Sequence, residues 1–183
     1  DVQGLLSNIY EFPAFQGTAS VESPDLSVFS ELAGRALSGR IAVEAEGGVN
    51  ADLTRALVDA DVRGRDITVE GLDVEGLLKG PVTLSVEGGR TDDRIDITNI
   101  AFGGASLIAQ LSGVITGLSA TPAFDGKRSA RSPDLSVFSG LVGRPLSGRA
   151  NVLAEGAATA DLTSGRITAT LDGQDIRTGL SEI

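Results

Sequence analysis

Ser23 to Arg40 reads SPDLSVFSELAGRALSGR, and Ser132 to Arg149, 109 residues later, reads SPDLSVFSGLVGRPLSGR. Compared without gaps, Pro13–Gly48 and Pro122–Ala157 share 24 identities in 36 positions. One unit is written twice, and the chain is a repeat array.

Each copy carries the marks of a short helix, expected over residues 24–33 and 133–142. Ser23 or Ser132 stands as N-cap, a proline follows at the first helical position, Asp25 or Asp134 lies in the first turn, and Gly34 or Gly143 stops the helix. Leu26, Phe29, Leu32 and Ala33 recur at helical spacing, as do Leu135, Phe138, Leu141 and Val142, giving each helix one apolar side to bury. A helix of about ten residues is marginal alone, so an apolar surface must receive that side.

Outward from the helix the spacing changes to two. Ile41, Val43 and Ala45 alternate with Arg40, Glu44 and Glu46, which describes a strand wet on one face. In the second copy Ala150, Val152 and Ala154 oppose Arg149, Asn151 and Glu155, with Leu153 as an exception. Val58, Ala60 and Val62 alternate with Asp59, Asp61 and Arg63; Val82, Leu84 and Val86 with Thr83, Ser85 and Glu87; Ile95 and Ile97 with Arg94, Asp96 and Thr98. The apolar run Gly4 to Tyr10 and the segment after Pro13 predict two more strands around a proline turn. Gly47-Gly48, Gly64-Arg65, Gly88-Gly89 and Gly103-Gly104 read as turns between strands. Residues 72–80, LDVEGLLKG, fit a helical turn and a bulged strand equally well.

These patterns predict an all-β chain with two short helices. Its one-sided strands are filled by Val, Ala, Ile and Leu, too thin a set to seal a large core. An elongated, curved and folded-over sheet, repeated along its length and leaving an apolar groove partly open on its concave side, reconciles the two. By repeat register the chain divides into residues 1–112, the end of one lead-in plus a first unit, and residues 113–183, a second unit cut short, so it reads as an excerpt of a longer array.

Composition narrows the function. Among 183 residues there is no cysteine, histidine, methionine or tryptophan, six phenylalanines and one tyrosine, and a net charge of −10. Thiolate and imidazole metal sites and the serine–histidine and cysteine–histidine nucleophiles are excluded, while carboxylate chemistry stays open. An acidic chain with scattered basic residues does not suit nucleic acid. No run of about eighteen apolar residues is present to span a membrane as a helix. Asp59 to Gly64 begins like a calcium loop, but Arg63 stands where an oxygen ligand is needed, and solvated strand residues explain the stretch better. Asp92-Asp93 reads as a turn rather than a catalytic pair. Arg35, Arg40, Arg144 and Arg149 flank the helix exits, where they would neutralise terminal carbonyls or meet lipid phosphates.

The phrase D-L-S-V-F-S-x-L-x-G-R-x-L-S-G-R followed by an alternating strand resembles the recurring unit of the TamB family, in its alphaproteobacterial form, and more loosely the AsmA-like group. The resemblance implies a long periplasmic protein, anchored in the inner membrane, whose folded-over sheet encloses an apolar groove. It further implies phospholipid transport between inner and outer membranes and outer-membrane protein assembly, with an Omp85-type barrel partner and unfolded outer-membrane proteins as further clients. No enzymatic activity, cofactor or metal is expected. If every strand keeps one parity, the groove residues that hold acyl chains are Ile41, Val43, Ala45, Val58, Ala60, Val62, Val82, Leu84, Val86, Ile95, Ile97, Val152 and Ala154. The helix-packing residues are Leu26, Phe29, Leu32, Leu135, Phe138 and Leu141. The alternative is a structural β-solenoid stalk or adhesin-like passenger with a closed core. A carbohydrate-processing β-helix would need aromatic platforms and clustered acids, which the sequence lacks.

Overall fold

The computed structural model describes residues 1–7, 14–72, 75–161 and 163–178. The expected proline turn at Pro13 and the first apolar run beyond Ser7 lie outside the described residues. Ten strands follow in order: β1 (Val2–Ser7), β2 (Ala14–Ser23), β3 (Leu37–Asn50), β4 (Arg55–Val69), β5 (Pro81–Thr91), β6 (Arg94–Gly103), β7 (Ile108–Thr116), β8 (Ala123–Ser132), β9 (Leu146–Thr159) and β10 (Gly165–Thr178). Each pairs antiparallel with the next, so the all-β chain is a single ten-stranded meander in chain order. The folded-over form expected from the repeats is, over these residues, one open and uncurled sheet with β1 and β10 as its free edges.

The two copies repeat in register as well as in order. Asp66, with φ 51°, bulges β4 opposite Gly39, with φ 104°; Asp175, with φ 53°, bulges β10 opposite Gly148, with φ 103°. A Cβ on Gly39 or Gly148 would stand 2.6 Å from the bulged aspartate's carbonyl oxygen, so glycine is required there for both space and backbone angle.

Three of the four glycine pairs are not turns, and the fourth, Gly103-Gly104, opens the connection from β6 to β7 as expected, the Gly104 amide donating to the Leu107 carbonyl at 2.9 Å. Gly47-Gly48 lies inside β3, Gly64-Arg65 inside β4 and Gly88-Gly89 inside β5, while Gly103 ends β6. Several of the connections at the far end of the sheet are closed by aspartates instead. Asp52 accepts from the Thr54 amide at 3.1 Å, Asp161 from the Thr163 amide at 3.1 Å, and Asp93 from the Ser119 amide at 2.7 Å. Asp92-Asp93 forms the tight link between β5 and β6, as expected.

At the other end stand the helical connections. Each repeated phrase forms a 3-10 turn, Leu26–Phe29 or Leu135–Phe138, running into an α-turn, α1 (Ser30–Ala33) or α3 (Ser139–Val142). The N-cap is Asp25 or Asp134, whose carboxylate accepts from the amide two residues on, at 2.9 Å in both copies. Ser23 and Ser132 instead close the preceding strands and are buried, their hydroxyls donating to the carbonyls of Asp25 and Asp134. Gly34 and Gly143 end the helices in the left-handed region, with φ 67° and 66°. Ser30 and Ser139 accept from the amides of Leu37 and Leu146 at 3.0 Å, fastening each α-turn to the strand it feeds.

The expected burial of the helix face is corrected by this geometry. Leu26, Leu135 and Phe138 are half-buried, but Leu32 is 88% exposed, Phe29 39% and Leu141 51%. A 3-10 turn repeats every three residues and an α-turn every 3.6, so the side begun by Leu26 and Phe29 does not continue through Leu32. A third helical turn, α2 (Glu75–Leu78), decides the reading of residues 72–80 in favour of helix. The α2 turn meets the second 3-10 turn, with Val137 close against Gly76. Val28, the counterpart of Val137 in the first copy, is 70% exposed. No helix among the described residues is long and apolar enough to cross a membrane.

Candidate functional site

Residues directly opposite one another in an antiparallel ladder share a face, so the register sorts every side chain. Val21, Val43, Val62, Leu84, Phe102, Ala109, Ala130, Val152 and Leu171 form one row from β2 to β10. The adjacent row holds Val2, Ala19, Ala45, Ala60, Val86, Ile100, Leu111, Arg128, Ala154 and Ala169. All thirteen residues singled out from the alternation lie on this one face.

The same face carries apolar residues that the alternation alone did not select. In β6 the pairing slips at Thr98, so Ile95 and Ile97 before it and Ile100 and Phe102 after it face the same way despite opposite parity. Leu111, Ile115, Phe124, Ile167 and Leu171 join them by plain alternation. Gly4, Gly17, Gly47, Val58, Gly88, Ile97, Gly113, Gly126, Gly156 and Ile167 make a further row across all ten strands, seven of ten being glycine. The face is therefore low along that line. Phe15 and Phe124 each fold a ring over the low line: a Cβ on Gly17 would stand 2.8 Å from Phe15 Cζ, and one on Gly126 2.6 Å from Phe124 Cζ.

Little covers this face. Val82, beside Gly64 at the helical end, is the one buried hydrophobic residue among those described, and the other apolar side chains of the face are half-buried or exposed. Arg90 and Arg128 are its cations. Arg90 donates through Nε to the carbonyl of Asp92 at 3.1 Å, while the Arg128 guanidinium stacks over the Phe124 ring, 5.1 Å from its centroid.

The opposite face is polar. Glu44 opposes Asp61, and Glu46 opposes Asp59, in the β3–β4 ladder; Arg63 answers Glu44 at 3.4 Å and Ser85 donates to Asp61 at 2.5 Å. Two hollows, about 440 and 450 Å³, open mainly on this side, one lined by Gln3, Thr18, Glu44, Asp59 and Asp61, the other by Asn99, Gln110, Ser112, Lys127 and Glu155. The two hollows thus lie where short polar side chains such as Ser and Thr leave room, while on the apolar face the Phe15 and Phe124 rings lie over the low glycine line. Arg40 and Arg149 also face this polar side, and Arg35 and Arg144 lie exposed beyond the α-turns.

The chemistry of the acids is that of turns and ion pairs. Backbone and side-chain hydrogen bonds from Ser27 and Ser136 hold Asp25 and Asp134 below the usual carboxylate range. Thr54 does the same to Asp52, and Thr159 and Thr163 to Asp161, while the Arg94 guanidinium lowers Asp96. Each of these acids is thereby held as a charged acceptor. Among the described residues no group of three or more acidic side chains comes together to hold a metal. No protein-family model, curated protein or solved structure matches the chain.

Proposed function

We propose that the chain is a segment of a non-enzymatic periplasmic protein whose apolar sheet face carries phospholipid acyl chains between the inner and outer membranes. The observation that supports this reading is the face itself, continuous across ten strands and left almost uncovered. Exposed apolar surface on that scale marks a place where another apolar body lies. An acyl chain suits it because each methylene removed from water contributes about 0.8 kcal/mol without any directional contact. The two membranes, a role in outer-membrane protein assembly, unfolded outer-membrane proteins as clients and an Omp85-type barrel partner come from the likeness of the repeated phrase to the TamB unit. On this reading the parent protein is anchored in the inner membrane. A solenoid stalk would stack its coils in parallel, whereas every neighbouring pair of strands here is antiparallel. Organic extraction of the purified chain followed by mass spectrometry tests the proposal: phospholipid is expected in the extract, and its absence removes the reading.

A further inference from the structure

We propose that Arg128 anchors the acidic head of an anionic amphiphile on the apolar face, with the tail lying beside it along β9. The proposal rests on the acyl-chain reading above and adds to it the chemical class of the head group and the residue that takes it.

The placement of Arg128 is what needs explaining. It stands directly between Leu111 and Ala154 in an otherwise apolar row, where its counterpart in the first copy is Ala19. Its Nε is shielded from solvent and makes no hydrogen bond, and no carboxylate pairs with it among the described residues. A shielded donor without a partner is costly, and the nearby acids do not supply one: Glu155 stands opposite Lys127 in the ladder, on the other face, and Asp125 points that way too. Arg90, the other cation of the face, is occupied by the turn carbonyl of Asp92.

The Arg128 guanidinium carbon stands over the Phe124 ring, a contact that occupies none of its N–H donors. The rim that those donors form matches the paired oxygens of a phosphate or carboxylate. A free ion would be held by that rim alone, but the surface next to it is apolar and low. Ala154 lies directly across, followed on the same face by Gly156 and Ala158, between the larger Phe124 and Ile167. From Ala154 to Ala158 that strip runs about 13 Å, long enough to lay down much of a tail.

The experiment is calorimetric titration of the 183-residue chain with three probes, the amphiphiles being kept below their micelle concentrations: decyl phosphate, decyl maltoside with the same tail and a neutral head, and inorganic phosphate. Decyl phosphate is expected to bind about tenfold or more tightly than either of the others, the range of a charge-assisted contact. Arg128→Gln should remove that advantage and leave decyl maltoside unchanged, Arg128→Lys should keep part of it, and Arg131→Gln, an equal charge loss on the opposite face, should change nothing. On the unmodified chain, the Nε–H resonance of Arg128 should shift with decyl phosphate and stay still with decyl maltoside. Full discrimination in a folded Arg128→Gln chain, or a still resonance, overturns the anchor while the apolar-face reading stands. Equal binding of inorganic and decyl phosphate reduces it to a bare anion site and overturns the amphiphile. If neither amphiphile binds the unmodified chain, the face reading fails and the anchor with it.

Discussion

The ring of Phe124 lies over Gly126, two positions further along β8, so closely that a Cβ there would stand 2.6 Å from Cζ. The Cα of Gly113 on β7 is only 2.8 Å from the same point. An aromatic ring here covers backbone that glycine leaves bare. Phe124→Ala should destabilise the chain by about 2–3 kcal/mol, below the range for a fully buried ring because this one is half-buried. Gly126→Val should cost more, and adding Phe124→Ala to it should recover only the part due to the ring, since the clash with Gly113 remains. Urea unfolding followed by circular dichroism checks all three.

The two copies of the helical phrase should respond differently. Val137→Asp places a charge against Gly76, whereas the same change at exposed Val28 meets water. The first should lower the urea midpoint clearly and the second hardly at all. Leu32→Ala, at a position 88% exposed, should stay within about 0.5 kcal/mol of the unmodified chain. A larger loss there would show that the helix buries the side that its apolar spacing suggests.

Acid should weaken the fold through its turns and caps. Asp25, Asp134, Asp52, Asp161 and Asp96 are all lowered from the ordinary carboxylate value in the folded chain. A lowered folded value means that the stabilisation is present above the unfolded value, about 3.9, and is lost as pH falls through the folded ones. The urea midpoint should therefore be level from neutral pH down to about pH 5 and drop below about pH 4. Asp134→Asn keeps a capping oxygen without a titrating charge, so this variant should lose less than the unmodified chain between pH 5 and pH 3.

Strand existence, face and repeat were legible because alternation survives wherever a sheet has one wet face, as in Ile41, Val43 and Ala45 against Arg40, Glu44 and Glu46. Three of the glycine pairs misled because glycine marks both turns and close backbone approach. At Gly47 and Gly88 it is the approach that operates, with the carbonyls of Leu57 and Asp96 at 2.5 and 2.6 Å from a built Cβ. Ile100 and Phe102 were hidden by the slip at Thr98, which depends on how β6 meets its neighbours and leaves no local mark. The cap moved from Ser23 to Asp25 because the ladder with β3 extends through Ser23 and holds it in the strand. Arg128 could not be placed until Ala130 and Phe124 were, since its own strand also carries Lys127 and Arg131 on the other face.

Leu84 and Thr83 are neighbours on β5 that point to opposite faces, Leu84 toward Val62 and Phe102, Thr83 toward Arg63 and Gly103. An ionised side chain at Leu84 interrupts the apolar strip and disfavours an acyl chain there, since covering a charge with hydrocarbon costs more than covering a neutral polar group, while the same charge at Thr83 meets solvent. The direct measurement is mass spectrometry of organic extracts from the unmodified, Leu84→Asp and Thr83→Asp chains, each first shown by circular dichroism to keep its sheet. Phospholipid should accompany the unmodified and Thr83→Asp chains and be missing from Leu84→Asp; equal lipid in all three, or none in any, would contradict the claim that this face holds acyl chains.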